Sequence, residues 1–380
     1  MHMQNDKTGK YLIQPGGYSA FIPIPLSTIK PIKYDEKLRN ILSEADRALS
    51  RLDGVVTVLP NSDLFIAMYV KKEALLSSQI EGTQASLEGV LRFEADLNPE
   101  EDINEVKEVI NYIKALNYEI ARLSDLPISN RLIKEIHRIL IEGTRGTSKT
   151  PGEFRTIQNW IGLPRAIFVP PSPEKVPELM SELEKFIHQK DETPPLVKIA
   201  LIHAQFETIH PFLDGNGRVG RLLITFYIYC EKILSHPVLY LSVYLKKNKS
   251  RYYDLLMQIR EQDIWEEWLK FFLEGIKEVS EEALVLAKEI ITLKEKLLKT
   301  LFTNKISSIF AVEFLNLLFA KPIITSTDIV KNLNTSKETA NQLIKKFEKI
   351  NIIREISGKK RYKKYIFLDY INIIKRGTEL

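Results

Sequence analysis

The stretch His210-Pro211-Phe212-Leu213-Asp214-Gly215-Asn216-Gly217-Arg218-Val219-Gly220-Arg221 decides how the rest of the chain is read. An apolar helical run, Pro195–Ile209, ends just before it, and Pro211 fixes the backbone after His210. Gly215 and Gly217 admit backbone angles that other residues resist, so Gly215-Asn216-Gly217 can turn successive N–H groups into one concavity. A second helical run starts near Gly217 and reaches about Ile233; the N-terminus of such a helix favours anions. Arg218 and Arg221 share a face in its first turn and offer two guanidinium forks to a polyphosphate. Asp214 supplies a hard oxygen ligand suited to Mg²⁺, with water and phosphate oxygens completing the octahedron. His210 can accept a proton from an incoming hydroxyl. Base, metal ligand, anion nest and two arginines within twelve residues describe a site that transfers a phosphate-containing group. It is not a Walker loop, because no Gly-Lys-Ser/Thr follows.

Outward from this stretch the chain reads as mainly α. Helical periodicity covers Asp35–Leu52, Leu64–Ser78 (running on through Glu81), Ile103–Leu123, Ser129–Glu142 and Val176–Gln189 upstream, with Ser129 as an N-cap. Downstream it covers Arg251–Arg260, Trp265–Gly275 and Val279–Thr300. Before the first helix, Phe21-Ile22-Pro23-Ile24-Pro25 reads as an extended, packed arm. Ile157–Pro173 is different: Trp160, Ile161, Ile167, Phe168 and Val169 around Gly162-Leu163-Pro164-Arg165 predict a short β-hairpin. After Thr300 come helices over Phe310–Phe319, Ser326–Leu333 and Ser336–Ile350. A basic hairpin over Ile352–Ile356 and Lys360–Leu368 completes the winged helix-turn-helix order. The expected domains are an N-terminal helical region (1–115), a helical core with a small hairpin flap (116–300) and a winged helix (301–380).

Composition is consistent with this. At 380 residues the chain exceeds one typical core, and 44% hydrophobic with 27% charged residues is an ordinary globular balance. The single cysteine, Cys230, excludes an intramolecular disulfide framework and a multi-cysteine zinc site. No basic-then-apolar leader and no apolar run of ~20 residues is present, so a cytoplasmic protein without membrane contact is expected. Of the net charge of +5, the last eighty residues carry +8, with 15 Lys and Arg against 7 Asp and Glu; the rest is slightly acidic. The basic segment is a candidate for polyanions, the body is not.

The quoted stretch resembles the Fic motif, His-Pro-Phe-x-Asp/Glu-Gly-Asn-Gly-Arg-x-x-Arg, at every specified position. Gly152-Glu153-Phe154-Arg155 with Gln158-Asn159-Trp160-Ile161-Gly162 resembles the segment entering the family's flap, and Phe168-Val169-Pro170-Pro171 its return. His203-Ala204-Gln205-Phe206-Glu207-Thr208-Ile209 is similar to the helix leading into the motif. The resemblance implies a protein adenylyltransferase that takes ATP with Mg²⁺ and moves AMP onto a Ser, Thr or Tyr hydroxyl of a target protein, itself included. It implies His210 as base and Asp214 as metal ligand. Gly215, Asn216 and Gly217 would then lie at the α-phosphate, and Arg218 and Arg221 at the β- and γ-phosphates. Ile157, Trp160, Ile167, Phe168 and Val169 would form a flap pairing with the target as an added strand. His137, His188, His203 and His236 are read as structural.

Ser77-Ser78-Gln79-Ile80-Glu81-Gly82 resembles the family's inhibitory motif, with Ser77 and Glu81 on one helix face. The resemblance implies that Glu81 pairs with Arg218 in the space the γ-phosphate needs, and that the same glutamate can assist AMP removal. In the winged helix, Lys337, Asn341, Gln342, Lys345 and Lys346 on the recognition helix and Lys359, Lys360, Arg361, Lys363 and Lys364 on the wing are candidates for DNA. Protein docking and self-association are the other uses of such a module. The rival reading, a DNA-binding regulator that uses the nucleotide site as a sensor, has no need of His210; a toxin acting on one essential target overlaps the first reading.

Overall fold

A computed structural model describes residues 8–57, 62–123, 126–144, 149–162 and 167–379. The chain opens on an antiparallel hairpin, β1 (Gly9–Ile13) with β2 (Ser19–Pro23), in which Tyr11 lies opposite Phe21. Helices α1 (Glu36–Thr57), α2 (Ser62–Ile80), α3 (Leu87–Glu94), α4 (Ile103–Arg122) and α5 (Asn130–Ile141) follow. Beyond the flap segment come α6 (Val176–His188), α7 (Pro195–Ile209), α8 (Asn216–Cys230), α9 (Ser242–Lys247), α10 (Lys249–Gln262) and α11 (Trp265–Thr303). The C-terminal part runs α12 (Ile309–Ala320), β3 (Ile323–Thr325), α13 (Ser326–Leu333), α14 (Lys337–Lys349), β4 (Arg354–Glu355), β5 (Lys364–Ile366) and α15 (Leu368–Ile374).

The core is centred on α7, in which every residue from Leu196 to Ile209 is buried, packed on α8. A helix apolar on all sides belongs in the interior; the flanking helices are amphipathic instead. In α5, Leu132, Ile133, Ile136, His137, Leu140 and Ile141 form one buried stripe, and the Ser129 side chain accepts from the Leu132 N–H at 3.3 Å as the predicted cap. On the other side of the core, α1 lies along α11. Helix α2 is central in another sense: it packs on α4, α8 and α9 and also on α12 and α15, so it separates the catalytic helices from the C-terminal module.

The C-terminal module has the expected winged helix-turn-helix order. Asn334 turns left-handed (φ 48°) between α13 and α14, Ser336 caps α14, and β5 sits between β3 and β4. The third strand, β3, was not anticipated, nor were α3, α9, α15 and the pairing of the N-terminal arm into a hairpin.

Two predicted helices, Trp265–Gly275 and Val279–Thr300, are one 39-residue helix. Gly275 reads as a stop but packs instead: a Cβ there would lie 2.5 Å from the Tyr244 ring, so the missing side chain lets α9 approach. Close packing offsets the ~1 kcal/mol that a mid-helix glycine costs. Helices α4 and α11 run unbroken through the expected boundaries at 115 and 300. Among the described residues, no helix is long and apolar enough to cross a membrane.

Candidate active site

The loop from α7 to α8 is held by side chains rather than by repeated backbone pairing. His210 caps α7 in the left-handed region (φ 50°, ψ 61°), and Gly215 caps the start of α8 at φ 78°. The Asn216 carboxamide closes the turn from both sides: Nδ2 donates to the Phe212 carbonyl and Oδ1 accepts from the Phe212 N–H, each at 2.8 Å. That side chain therefore shapes the nest and leaves the backbone N–H of Asn216 to face into it. The first-turn N–H groups of α8 have no intrahelical acceptor and supply the concavity.

Two residues outside the loop fix it in place. His137, expected to be structural, stacks on Phe212 with ring centroids 3.8 Å apart. Its Nδ1 accepts from the Gly152 N–H at 2.9 Å and its Nε2 donates to the Asp214 carbonyl at 3.0 Å. Burial lowers the His137 pKa to about 4, so this neutral tautomer persists at neutral pH. Arg155 is fully buried; it donates through Nε to the His210 carbonyl at 2.9 Å and through Nη2 to Ile209 and Pro171, while its own N–H bonds Pro211. One guanidinium thus ties the flap return to the catalytic loop.

Charge is concentrated on one side of this loop. His210 Nδ1 is buried without a partner, and burial, reinforced by the cations Arg155 and Arg260, lowers its pKa to about 3. The imidazole is neutral and open to a proton. Arg218 is buried; its Nη2 lies 3.5 Å from Asp214 and its Nη1 3.8 Å from Glu108, and Nε and Nη1 have no hydrogen-bond partner. Arg221 is equally buried, and two of its three side-chain nitrogens are engaged. Its Nε donates to Ser77 Oγ at 2.8 Å, and its Nη2 to the Ser77 carbonyl at 2.9 Å and to Glu81 Oε1 at 2.6 Å.

The partner of Glu81 is therefore Arg221, not Arg218 as the sequence reading had it. Position 81 follows the last turn of α2, and α2 lies across the α8 face that Arg221 shares with Gly217. Arg218, one turn nearer the helix start, points to Asp214 and α4. Burial would raise the Glu81 pKa, but the charge and hydrogen bond of Arg221, aided by Arg218, outweigh it and hold the carboxyl below its usual range. A Cβ added to Gly217 would lie 2.2 Å from Glu81 Oε1. A carboxylate already sits at the rim of the anion nest.

Glu207, a buried acid three residues before His210, belongs to the run that leads into the motif and has no role among the sequence expectations. Its Oε1 has no hydrogen-bond partner, and burial pushes its pKa up to about 7 despite Arg221 nearby. It is the one carboxylate in α7, and that is the signal that marks it. His203, read as structural, is buried between the Gly220 carbonyl (3.0 Å) and the Tyr252 hydroxyl (2.9 Å).

The flap segment shows one antiparallel bridge, Ile161 to Phe168; Leu163-Pro164-Arg165 lies outside the described residues. Ile157, Trp160 and Ile167 are exposed. Phe168 is buried against the Arg260 guanidinium, 3.8 Å from its ring centre, so it anchors the flap and offers nothing to a target. The Val169 carbonyl accepts from the Phe21 N–H at 3.0 Å, and Tyr18 packs edge-on against Trp160, so the N-terminal hairpin backs the flap. In the winged helix, Lys337, Asn341, Gln342, Lys345 and Lys346 are exposed on α14, and Lys359, Lys360, Arg361 and Lys363 are exposed on the wing. Lys364 is not with them: its ammonium donates to the Ala95 carbonyl at the end of α3, so it ties the wing to the body.

Residues 40–121 match the Fic/DOC family N-terminal domain, residues 127–228 the Fic/DOC family domain, and residues 312–367 an HTH DNA binding domain. A probable protein adenylyltransferase of Aquifex aeolicus is 30% identical over 166 residues, 42% of this chain and 48% of the relative. The protein adenylyltransferase Fic of Drosophila grimshawi is 32% identical over 171 residues, 43% of this chain and 32% of that protein. The matches thus span less than half the length of these curated relatives. The crystal structure of a Fic family protein from Desulfovibrio desulfuricans G20 has the same fold, with a TM-score of 0.58 at 19% identity over 89% of this chain and 97% of the other.

Proposed function

This chain carries the N-terminal and core domains of the Fic/DOC family, and on that premise we propose that it is a protein adenylyltransferase restrained by its own Glu81. The substrate is ATP, and the acceptor is a Ser, Thr or Tyr hydroxyl of a protein, with the chain itself among the targets. Neutral His210 takes the hydroxyl proton as the oxygen bonds to the α-phosphorus; the bond from that phosphorus to the β-bridging oxygen breaks and pyrophosphate leaves. The first-turn N–H groups of α8 face the α-phosphate, and the unpartnered Nε and Nη1 of Arg218 fit oxygens further along the chain of phosphates.

Asp214 fits a role as metal ligand. Its carboxylate is nearly half exposed at the nest, and among the described residues no three His, Cys, Asp or Glu side chains form a protein-only metal cage. That donor set suits a Mg²⁺ held by one carboxylate and completed by phosphate and water oxygens. When bound, such an ion neutralises charge on the phosphates during transfer.

The observation that carries the restraint is the position of Glu81 Oε1, 2.6 Å from Arg221 and against Gly217. While it stays there, Nε and Nη2 of Arg221 are taken and the nest already faces an anion. The test is incubation with α-labelled ATP and cell lysate, comparing wild type with Glu81→Gly. We read the winged helix as a DNA-contacting accessory, on the strength of the exposed lysines of α14 and the wing. The sensor reading is less favoured because it leaves the neutral His210, with its unpartnered Nδ1, without a use.

A further inference from the structure

Beside α2 lies a cavity of about 750 Å³. It is walled by α2, α9, α11 and the last residues of the chain, and its size lies within the ~300–1,000 Å³ usual for small-molecule sites. We propose that it is a second ligand site and that it takes a small organic amine. Two buried polar groups that line it are left unsatisfied, Glu73 Oε2 and the Tyr240 hydroxyl, with their residues 1% and 3% exposed. Unsatisfied buried groups are costly, so a site lined by two of them is built for a partner.

The charge balance selects a cation. All four basic side chains on the wall are already committed. Lys247 pairs with Glu278 and Arg376 with Glu289, at 2.6 and 2.7 Å. Lys72 and Lys246 donate to the backbone carbonyls of Arg376 and Glu379, each at 2.6 Å. The acids are in surplus: six carboxylates line the cavity, and at its mouth Glu282 closes no ion pair among the described residues. Glu73 spends only Oε1, which accepts from Tyr112 at 3.2 Å and from Ser242. Burial pushes the Glu73 pKa up to about 7, so an ammonium at Oε2 would find a carboxylate that ionises readily in its presence. Tyr69 and Tyr240, with ring centroids 5.0 Å apart, also line the wall and give it aromatic surface for the apolar body carrying the charge.

Glu73, Ser77 and Glu81 follow one another at four-residue spacing along α2 and the turn after it, so an occupied cavity and a seated Glu81 draw on one element. That consequence rests on the restraint proposed above; binding itself does not, and is read without nucleotide. The experiment is calorimetry on the full chain with phenethylamine as probe and 2-phenylethanol as its neutral counterpart. The expected result is saturable one-to-one binding of the amine, at least about tenfold tighter than the alcohol, with Glu73→Gln and Glu282→Gln each weakening it about tenfold. Glu282 lies on the surface, so its variant decides the matter if Glu73→Gln fails to fold. Equal affinity for amine and alcohol, no saturable binding at millimolar amine, or binding indifferent to the folded variants would each overturn the proposal.

Discussion

Replacing Glu81 by Gly should raise AMP transfer, self-modification included, by about tenfold and at most about a hundredfold. The substitution removes one charge-assisted hydrogen bond of 2.6 Å to a buried arginine, worth ~1.5–3 kcal/mol. Because a third of the Glu81 side chain is exposed, solvent screening favours the lower end, and 1.4 kcal/mol is one factor of ten in occupancy. The variant should fold normally. Position 81 follows the last residue of α2 and precedes Gly82 at φ 101°, so no helix interior gains a glycine. Glu81→Gln should fall between, since an amide still fills the space but pairs weakly. Glu81→Gly with Arg221→Ala should be inactive if Arg221, once freed, holds a phosphate. The assay is transfer of label from α-labelled ATP to protein, followed as initial rates. If Glu81→Gly is no faster than wild type on any substrate, the restraint is wrongly assigned; if it is slower, Glu81 serves catalysis, as it would in AMP removal.

His210→Asn should abolish transfer while leaving ATP binding and melting temperature close to wild type, because asparagine tolerates the left-handed backbone there; retained labelling of target would refute the base assignment. Since burial and nearby cations lower the His210 pKa, its neutral form persists below the usual imidazole range, and transfer should hold from pH 7 down to about 5; a rate that halves near pH 6.5 would contradict this. Asp214→Ala, or excess chelator, should remove activity, and transfer at full rate in chelator would end the metal assignment. Charge reversal at Lys360, Arg361 and Lys363 should weaken duplex DNA binding and flatten its salt dependence, with Lys364→Glu acting instead on stability; absence of DNA affinity in the wild type at low salt would make the module a protein-docking one.

Much of this molecule is legible in its sequence because the signals are local. The apolar run Pro195–Ile209, the Gly-flanked loop and the Ser129 and Ser336 caps depend on neighbours a few residues away, and they locate α7, α8, α5 and α14 to within a few residues. What escaped depends on distance. Whether Glu81 meets Arg218 or Arg221 is set by how α2 crosses α8, and no spacing along the chain encodes that crossing. Gly275 reads as a stop until Tyr244 is seen against it. The roles of His137 and Arg155 follow from partners 77 and 55 residues away. The third strand of the winged helix is three residues long, too short for periodicity to register.

At 1.5 Å per residue, α11 is a rod about 58 Å long. The chain leaves the catalytic body along it and comes back beside it through α15, and Arg376 then bonds Glu289 on the same rod. With Lys364 also bonded to Ala95 and α12 packed on α2, the winged helix is moored at several points and not on the single pivot that a tethered domain swings on. Anything seated on Lys337, Asn341 and Lys345 is carried at a fixed bearing from His210. If the proposed activity holds, the set of hydroxyls within reach is then decided by surveying geometry, much as a crane's boom decides what lies beneath its hook.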